Sequence, residues 1–347
     1  MDNTTAIKAA ENLQLGLLAS GPQGPGECGS GASRDMMCSI IDDMTPPIKR
    51  LMIINTCNQF WGVAGPIVIY NLQDGSMKQN EISMPIVEGA CAFQIGSIGN
   101  GLFVITQGFF TMLMNINACL LQDIYAPKFI ELKIGKSKGF SCGSDASMVK
   151  LHDGRLLVMN GSYWNGRMSR RSHRVFDYEK STWGEISKND TPNVGACCVV
   201  MLDGRVLMAG GTSETTYRGW DKCWIFNAST RKFTDTTPMI AEHSCPSGCL
   251  LPNGHVFVCG CGVICETYDP KTAKWTLGGK MIHERSNPAL CLIDDQNIFI
   301  SGGKYGRIQG PYGGQCEIYN LTTHTSTETA QKMQTDMSDS EIIPLYD

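Results

Sequence analysis

The chain lacks most of the signals by which a sequence declares its chemistry. No apolar run in its 347 residues is long enough to cross a bilayer as a helix. The opening residues, Met1-Asp2-Asn3-Thr4-Thr5, have neither the basic nor the apolar region of an export signal, so a cytoplasmic protein is expected. Basic excess is missing too: 29 Lys and Arg stand against 33 Asp and Glu, which argues against a nucleic-acid partner. There is no Gly-x-Ser-x-Gly elbow, no phosphate loop and no paired C-x-x-C unit. A hydrolase nucleophile, a bound nucleotide and a structural zinc therefore have no local signature. The expectation is no cofactor, no metal and no membrane.

Cysteine, in contrast, is plentiful at 16 residues. Cys91, Cys197, Cys198, Cys249 and Cys291 lie in apolar segments just before a turn, where a free thiol serves as a small hydrophobe. His255, Cys259, Cys261 and Cys265 are close in sequence, but strand alternation puts Cys259 and Cys261 on one face, as packing residues. Five Asn-x-Ser/Thr sequons, at Asn3, Asn160, Asn189, Asn227 and Asn320, read as chance matches without an export signal.

What the chain does have is a repeat. His152-Asp153-Gly154-Arg155, Leu202-Asp203-Gly204-Arg205 and Pro252-Asn253-Gly254-His255 recur at a spacing of 50 residues, and Asp294-Asp295-Gln296-Asn297 follows. Asp-Gly or Asn-Gly between apolar runs is the strongest short hairpin signal, because the turn needs positive φ. The next strand ends in small residues such as Gly210-Gly211 and Gly302-Gly303. A third strand ends in an aromatic plus Asn or Asp: Tyr70-Asn71, Phe176-Asp177, Phe226-Asn227, Tyr268-Asp269 and Tyr319-Asn320. A second aromatic follows at Trp183, Phe233 and Trp275, and a methionine closes the unit at Met84, Met239, Met281 and Met333. A four-strand repeat of this period predicts the blade of a β-propeller.

The double glycine with its spaced aromatics resembles the kelch family and the related propeller of galactose-oxidase-type proteins, over about residues 49 to 347. The resemblance implies an all-β fold: a six-bladed kelch-type β-propeller of four-stranded antiparallel blades. It is weakest over 87–140, where the Gly-Gly is missing. Ser340 to Asp347 aligns with Ala196 to Asp203, and Arg50 to Ile54 with Arg205 to Ala209. The last strand is therefore expected to pair with the first, closing the ring and removing an open edge. Residues 1–48 fall outside the repeat, with a short helix expected over Ala6 to Leu18 and a linker at Gly21 to Gly26. A BTB module, which precedes many kelch rings, needs about twice that length.

In such a blade the tight turns occupy one face. The loops joining second and third strands share the other face with the connections between blades. The long loops are expected at Thr56 to Gly65, Gln107 to Ala118, Ser162 to Ser172, Thr212 to Asp221 and Lys304 to Gly314. They carry Trp61, Trp164, Arg167, Arg170, Arg171, Tyr217, Arg218, Trp220, Tyr305, Arg307 and Tyr312, with His173 just beyond the third loop. His283 and Arg285 join them from an inter-blade segment. Exposed Arg, Tyr and Trp dominate binding hot spots, and Arg grips carboxylates bidentately. The expectation is a non-enzymatic scaffold presenting these residues to a partner protein or acidic peptide. The alternative is a carbohydrate-binding or sialic-acid-type isomerase ring. A copper oxidase would need ligands from further domains, and a sialidase would need Asp-box repeats, which are absent.

Overall fold

Apolar runs separated by Asp-Gly and Asn-Gly turns become antiparallel sheet throughout the described chain. A computed structural model describes residues 47–55, 67–80, 94–99, 102–107, 110–115, 128–131, 147–159, 173–177, 179–180, 182–185, 193–213, 219–303, 314–333 and 340–346. All regular structure among them is β-strand. The N-terminal extension and its expected helix lie outside these residues.

Six four-stranded antiparallel units follow one another. The first joins the chain's two ends: Ser340–Tyr346, Ile48–Asn55, Ile67–Asn71 and Met77–Asn80, in that spatial order. The second is Gln94–Gly99, Leu102–Gln107, Phe110–Asn115 and Lys128–Glu131. The third is Ser147–Lys150, Leu156–Met159, Arg174–Asp177 and Thr182–Glu185. The fourth is Cys197–Val200, Val206–Ala209, Cys223–Asn227 and Lys232–Thr236. The fifth is Ser247–Leu250, Val256–Cys259, Gly262–Asp269 and Lys274–Arg285. The sixth is Ala289–Leu292, Asn297–Ser301, Glu317–Asn320 and Thr325–Glu328, tied to the fifth by one parallel bridge from Lys280 to Thr325.

The end-to-end pairing has the register that the repeat predicts. Ile54 faces Glu341, Ile53 faces Ile342 and Leu51 faces Pro344. These match Ala209–Cys197, Met208–Cys198 and Val206–Val200 in the fourth sheet. Residues 87–140 also hold a four-stranded sheet despite lacking the Gly-Gly. One loop differs from expectation. Gln107 to Ala118 is not a long loop, because Phe110–Asn115 is itself a strand paired with Leu102–Gln107. Gln107 stands opposite Phe110 in that ladder.

The core lies between successive sheets. Leu207, Ala209 and Met239 pack with Val256, Val258 and Tyr268 between the fourth and fifth. Leu251, Phe257, Cys265 and Met281 pack with Ile298, Ile300 and Tyr319 between the fifth and sixth. Leu51, Ile53 and Tyr70 of the first sheet meet Phe299, Cys316 and Met333 at the sixth. Three of the second strands are apolar at every position because both faces are covered: Leu156 to Met159, Val206 to Ala209 and Val256 to Cys259 are all buried. Each buried aliphatic or aromatic side chain here is worth about 1.5–3 kcal/mol. The first strands of the second to sixth sheets, then Ser340–Tyr346, touch one another in that order.

The repeated aromatic-Asn/Asp pairs now have a physical account. The aromatic packs on the next one, as in Phe176–Trp183 at 4.8 Å, Phe226–Phe233 at 4.8 Å and Tyr268–Trp275 at 5.0 Å. The following Asn or Asp bends the chain by accepting backbone N–H groups two or three residues on: Asn227 Oδ1 from Ser229 and Thr230, Asp269 Oδ1 from Lys271, Asn320 Oδ1 from Thr322 and Thr323. Two of the five sequons, at Asn227 and Asn320, are these turns. One of the turn glycines is fixed twice over. Gly254 has φ +83°, and a β-carbon there would meet Leu202 Cδ1 at 2.8 Å. So the tip of one turn packs over the glycine of the next.

Candidate functional site

The fold separates the two ends of the sheets. At one end stand the tight turns, two of which pair their own charges: Arg155 is 2.5 Å from Asp153 and Arg205 is 2.6 Å from Asp203. The Arg155 hydrogen bonds hold the Asp153 carboxyl below its ordinary range. At the other end stand the connections between second and third strands and between sheets.

That second end is organised by two buried clamps built on one pattern. Met239-Ile240-Ala241-Glu242-His243-Ser244 and Met281-Ile282-His283-Glu284-Arg285-Ser286 lead out of the fourth and fifth sheets. Cys265-Glu266-Thr267-Tyr268 and Cys316-Glu317-Ile318-Tyr319 receive them on the third strands of the fifth and sixth. Glu317 accepts from Arg285 Nε at 2.8 Å and from Ile282 N at 2.7 Å, while Arg285 donates to the Gly302 and Gln315 carbonyls at 2.7 and 2.8 Å. Glu266 accepts from Ile240 N and Ala241 N, both at 2.8 Å, and faces His243 Nε2 at 3.1 Å. His243 Nδ1 reaches the Gly260 carbonyl at 2.5 Å. All four side chains, Glu317, Arg285, Glu266 and His243, are buried. A carboxylate taken out of water needs such a full set of donors.

Of the expected partner-binding residues, Trp61, Trp164, Arg167, Arg170, Arg171, Tyr217, Arg218, Tyr305, Arg307 and Tyr312 lie outside the described residues. The other four divide evenly. Trp220 is half-buried at the loop end, held by hydrogen bonds from its N to Gly211 O and from His243 N to its carbonyl. Its ring packs near Trp224, with centroids 6.5 Å apart, and under the Lys222 ammonium at 5.1 Å. His283 is partly exposed and ties the fifth sheet to the sixth through Glu328, 2.6 Å away. Arg285 and His173 differ from the expectation of exposed side chains. Arg285 is consumed by Glu317, and His173 is buried against the Phe233 ring at 4.7 Å. Burial lowers the His173 pKa to about 4, so its imidazole is neutral near pH 7.

The cysteines divide by burial. Burial pushes the Cys223, Cys291 and Cys316 thiols up to about 12, leaving them protonated and inert as nucleophiles. Cys261 does not share a face with Cys259: it is exposed at φ +57°, in the place that glycine takes in Gly210-Gly211 and Gly302-Gly303. His255 sits at the turn end, 3.8 Å from Asp269, far along the strand from Cys261.

Glu266 and Glu317 escaped the sequence reading because each is an isolated acid between uncharged neighbours, Cys265 and Thr267 or Cys316 and Ile318. The signal was the repeated Cys-Glu-x-Tyr, legible only when aligned with the Met-Ile-x-Glu-His/Arg-Ser segment of the sheet before it. Among the described residues no group of three or more His, Cys, Asp or Glu is arranged to hold a metal, and no helix is long and apolar enough to cross a membrane. In comparisons with known proteins, no family model and no curated protein matches the chain.

Proposed function

We propose that the six sheets are the blades of a kelch-type β-propeller that works as a non-enzymatic interaction scaffold, presenting its loop end to a partner protein or acidic peptide. Support for the ring comes from the side-by-side order of the first strands and from the pairing of Ser340–Tyr346 with Ile48–Asn55. Support for the scaffold role rests on one observation above others. Of the ionisable side chains described at the loop end, His243, Arg285 and His283 are spent on structure, paired with Glu266, Glu317 and Glu328. The connections that do not repeat carry further cationic and aromatic residues in the sequence, and Trp220 is anchored by the backbone of Gly211 and His243.

An acidic partner fits that composition. Arginine offers a planar fork of donors to a carboxylate, and tryptophan and tyrosine offer area at low entropic cost. The partner is expected on the loop end and not on the turn end, where Asp153–Arg155 and Asp203–Arg205 cancel. Affinity capture with the full chain, read by mass spectrometry, identifies the partner. Replacing Arg170, Arg171 and Arg218 by Ala should then abolish capture while leaving the melting temperature unchanged. Undiminished capture by the triple variant overturns the assignment of that face. Sialic acid or galactose bound on the axis of the ring would favour the carbohydrate-active alternative.

A further inference from the structure

We propose that His243 makes the contact between the fourth and fifth sheets sensitive to pH, and with it the seat of Trp220, whereas the equivalent contact between the fifth and sixth sheets is insensitive. The hydrogen bonds themselves dictate the protonation. The Gly260 carbonyl can only accept, so Nδ1 of His243 carries a proton. Glu266 already accepts from the amides of Ile240 and Ala241, which favour its ionised form, so Nε2 must donate to it. A histidine with both nitrogens donating is an imidazolium.

The neighbouring repeat holds the same place with a permanent cation. Arg285 Nη1 donates to Gly302 O as His243 Nδ1 does to Gly260 O. Arg285 Nε donates to Glu317 as His243 Nε2 does to Glu266. Ile282 N caps Glu317 as Ile240 N caps Glu266. Arginine keeps its charge at any working pH, and histidine does not. Glu266 faces His243 from the fifth sheet, and Glu242 is its chain neighbour. From the fourth sheet, Cys223 stands near Glu266, its thiol uncharged. Next to His243 in the chain, Ser244 donates through Oγ to Cys261 Sγ at 2.7 Å.

Loss of one proton leaves either Gly260 O or Glu266 Oε1 facing a ring-nitrogen lone pair at a buried position. The stabilising contribution is therefore present while His243 is charged and is lost as pH rises. The backbone of His243 donates to Trp220 O and accepts from Gly211 N, so the loosening reaches the segment that carries Trp220. Its bearing on partner capture rests on the loop-end reading above; the pH sensitivity of the contact does not.

Native-state amide exchange on the full chain, from about pH 5 to about pH 8 and normalised to the intrinsic rate at each pH, tests this. Protection at Ile240, Ala241 and Gly211 should fall about tenfold or more relative to Ile282, the effect of losing one hydrogen bond to a charged group. His243→Arg should abolish the fall. Parallel behaviour of Ile240 and Ile282 in the unsubstituted protein, or a fall that persists in His243→Arg, overturns the proposal. Should that variant fail to fold, imidazole nitrogen spectra of the unsubstituted protein decide: two proton-bearing nitrogens on His243 at the acid end, one at the alkaline end. A ring with one proton throughout overturns it equally. None of these readouts involves a partner, so failure of the loop-end reading would appear only in capture.

Discussion

The two ends of the sheets are held together on different length scales. At the turn end, each bend satisfies itself within two or three residues: Arg155 N and Arg205 N on Asp153 and Asp203, His255 N on Asn253, Gln296 N on Asp294. At the loop end, the decisive bonds span sequence separations of 17 to 35 residues, from His243 to Gly260 and from Ile282 to Glu317. The turn end forms one bend at a time. The loop end exists only once neighbouring sheets have docked. Loss of the hydrogen-bonding side chains at the loop end should therefore be felt between sheets, and loss of the Asp and Asn acceptors at the turn end within one.

The largest effect is expected where a buried charge loses its partner. Glu317→Gln leaves the Arg285 guanidinium buried beside a neutral amide and should cost about 3–5 kcal/mol in equilibrium unfolding. Glu266→Gln should cost measurably less, because His243 can shed the proton that Arg285 cannot. Denaturant melts of the two variants make the comparison directly. Equal losses would mean that the two clamps are alike and that the identity of the cation is immaterial.

A smaller effect is expected at the turns. Gly254→Ala forces a side chain into φ +83° and drives its β-carbon to 2.8 Å from Leu202 Cδ1. The left-handed backbone alone costs about 1–2 kcal/mol, and the Leu202 contact adds to it. The double variant Gly254→Ala/Leu202→Ala should recover the contact portion and keep the backbone portion. No recovery would show that the turns do not brace one another.

The same contrast explains what could be read in the chain. Strand order, hairpin turns, paired aromatics and even the register of Ile54 against Glu341 follow from a repeat whose parts are local, so alignment of the copies sufficed. Arg285 and His173 were misjudged because exposure is not a local property. Arg285 is buried by Glu317 from a strand 32 residues away. His173 occupies the position of Cys223, Cys265 and Cys316 in its own repeat, a place that is buried in each. Aligning the third strands would have exposed that equivalence, whereas reading residue type alone pointed to a surface. The strand Phe110–Asn115 was mistaken for loop for a related reason: without a Gly-Gly, nothing local marked where the second strand ended.

The smallest effect tests whether turn charges matter beyond the bend they make. Asp153 accepts Arg155 N at 3.1 Å through Oδ1 and the Arg155 guanidinium through Oδ2. Asp153→Asn keeps the first acceptor and discards the charge. With the pair well exposed to solvent, the loss near neutral pH should stay below about 1 kcal/mol. The sign with pH is fixed by the lowered carboxyl pKa: the contribution is present above the ordinary aspartate value near 4 and is lost as pH falls through the lower folded value. Stability of the two proteins should therefore converge below about pH 4 and separate above it. A difference that stays constant across that range would assign the effect to the bend, leaving the Arg155 ion pair without a share.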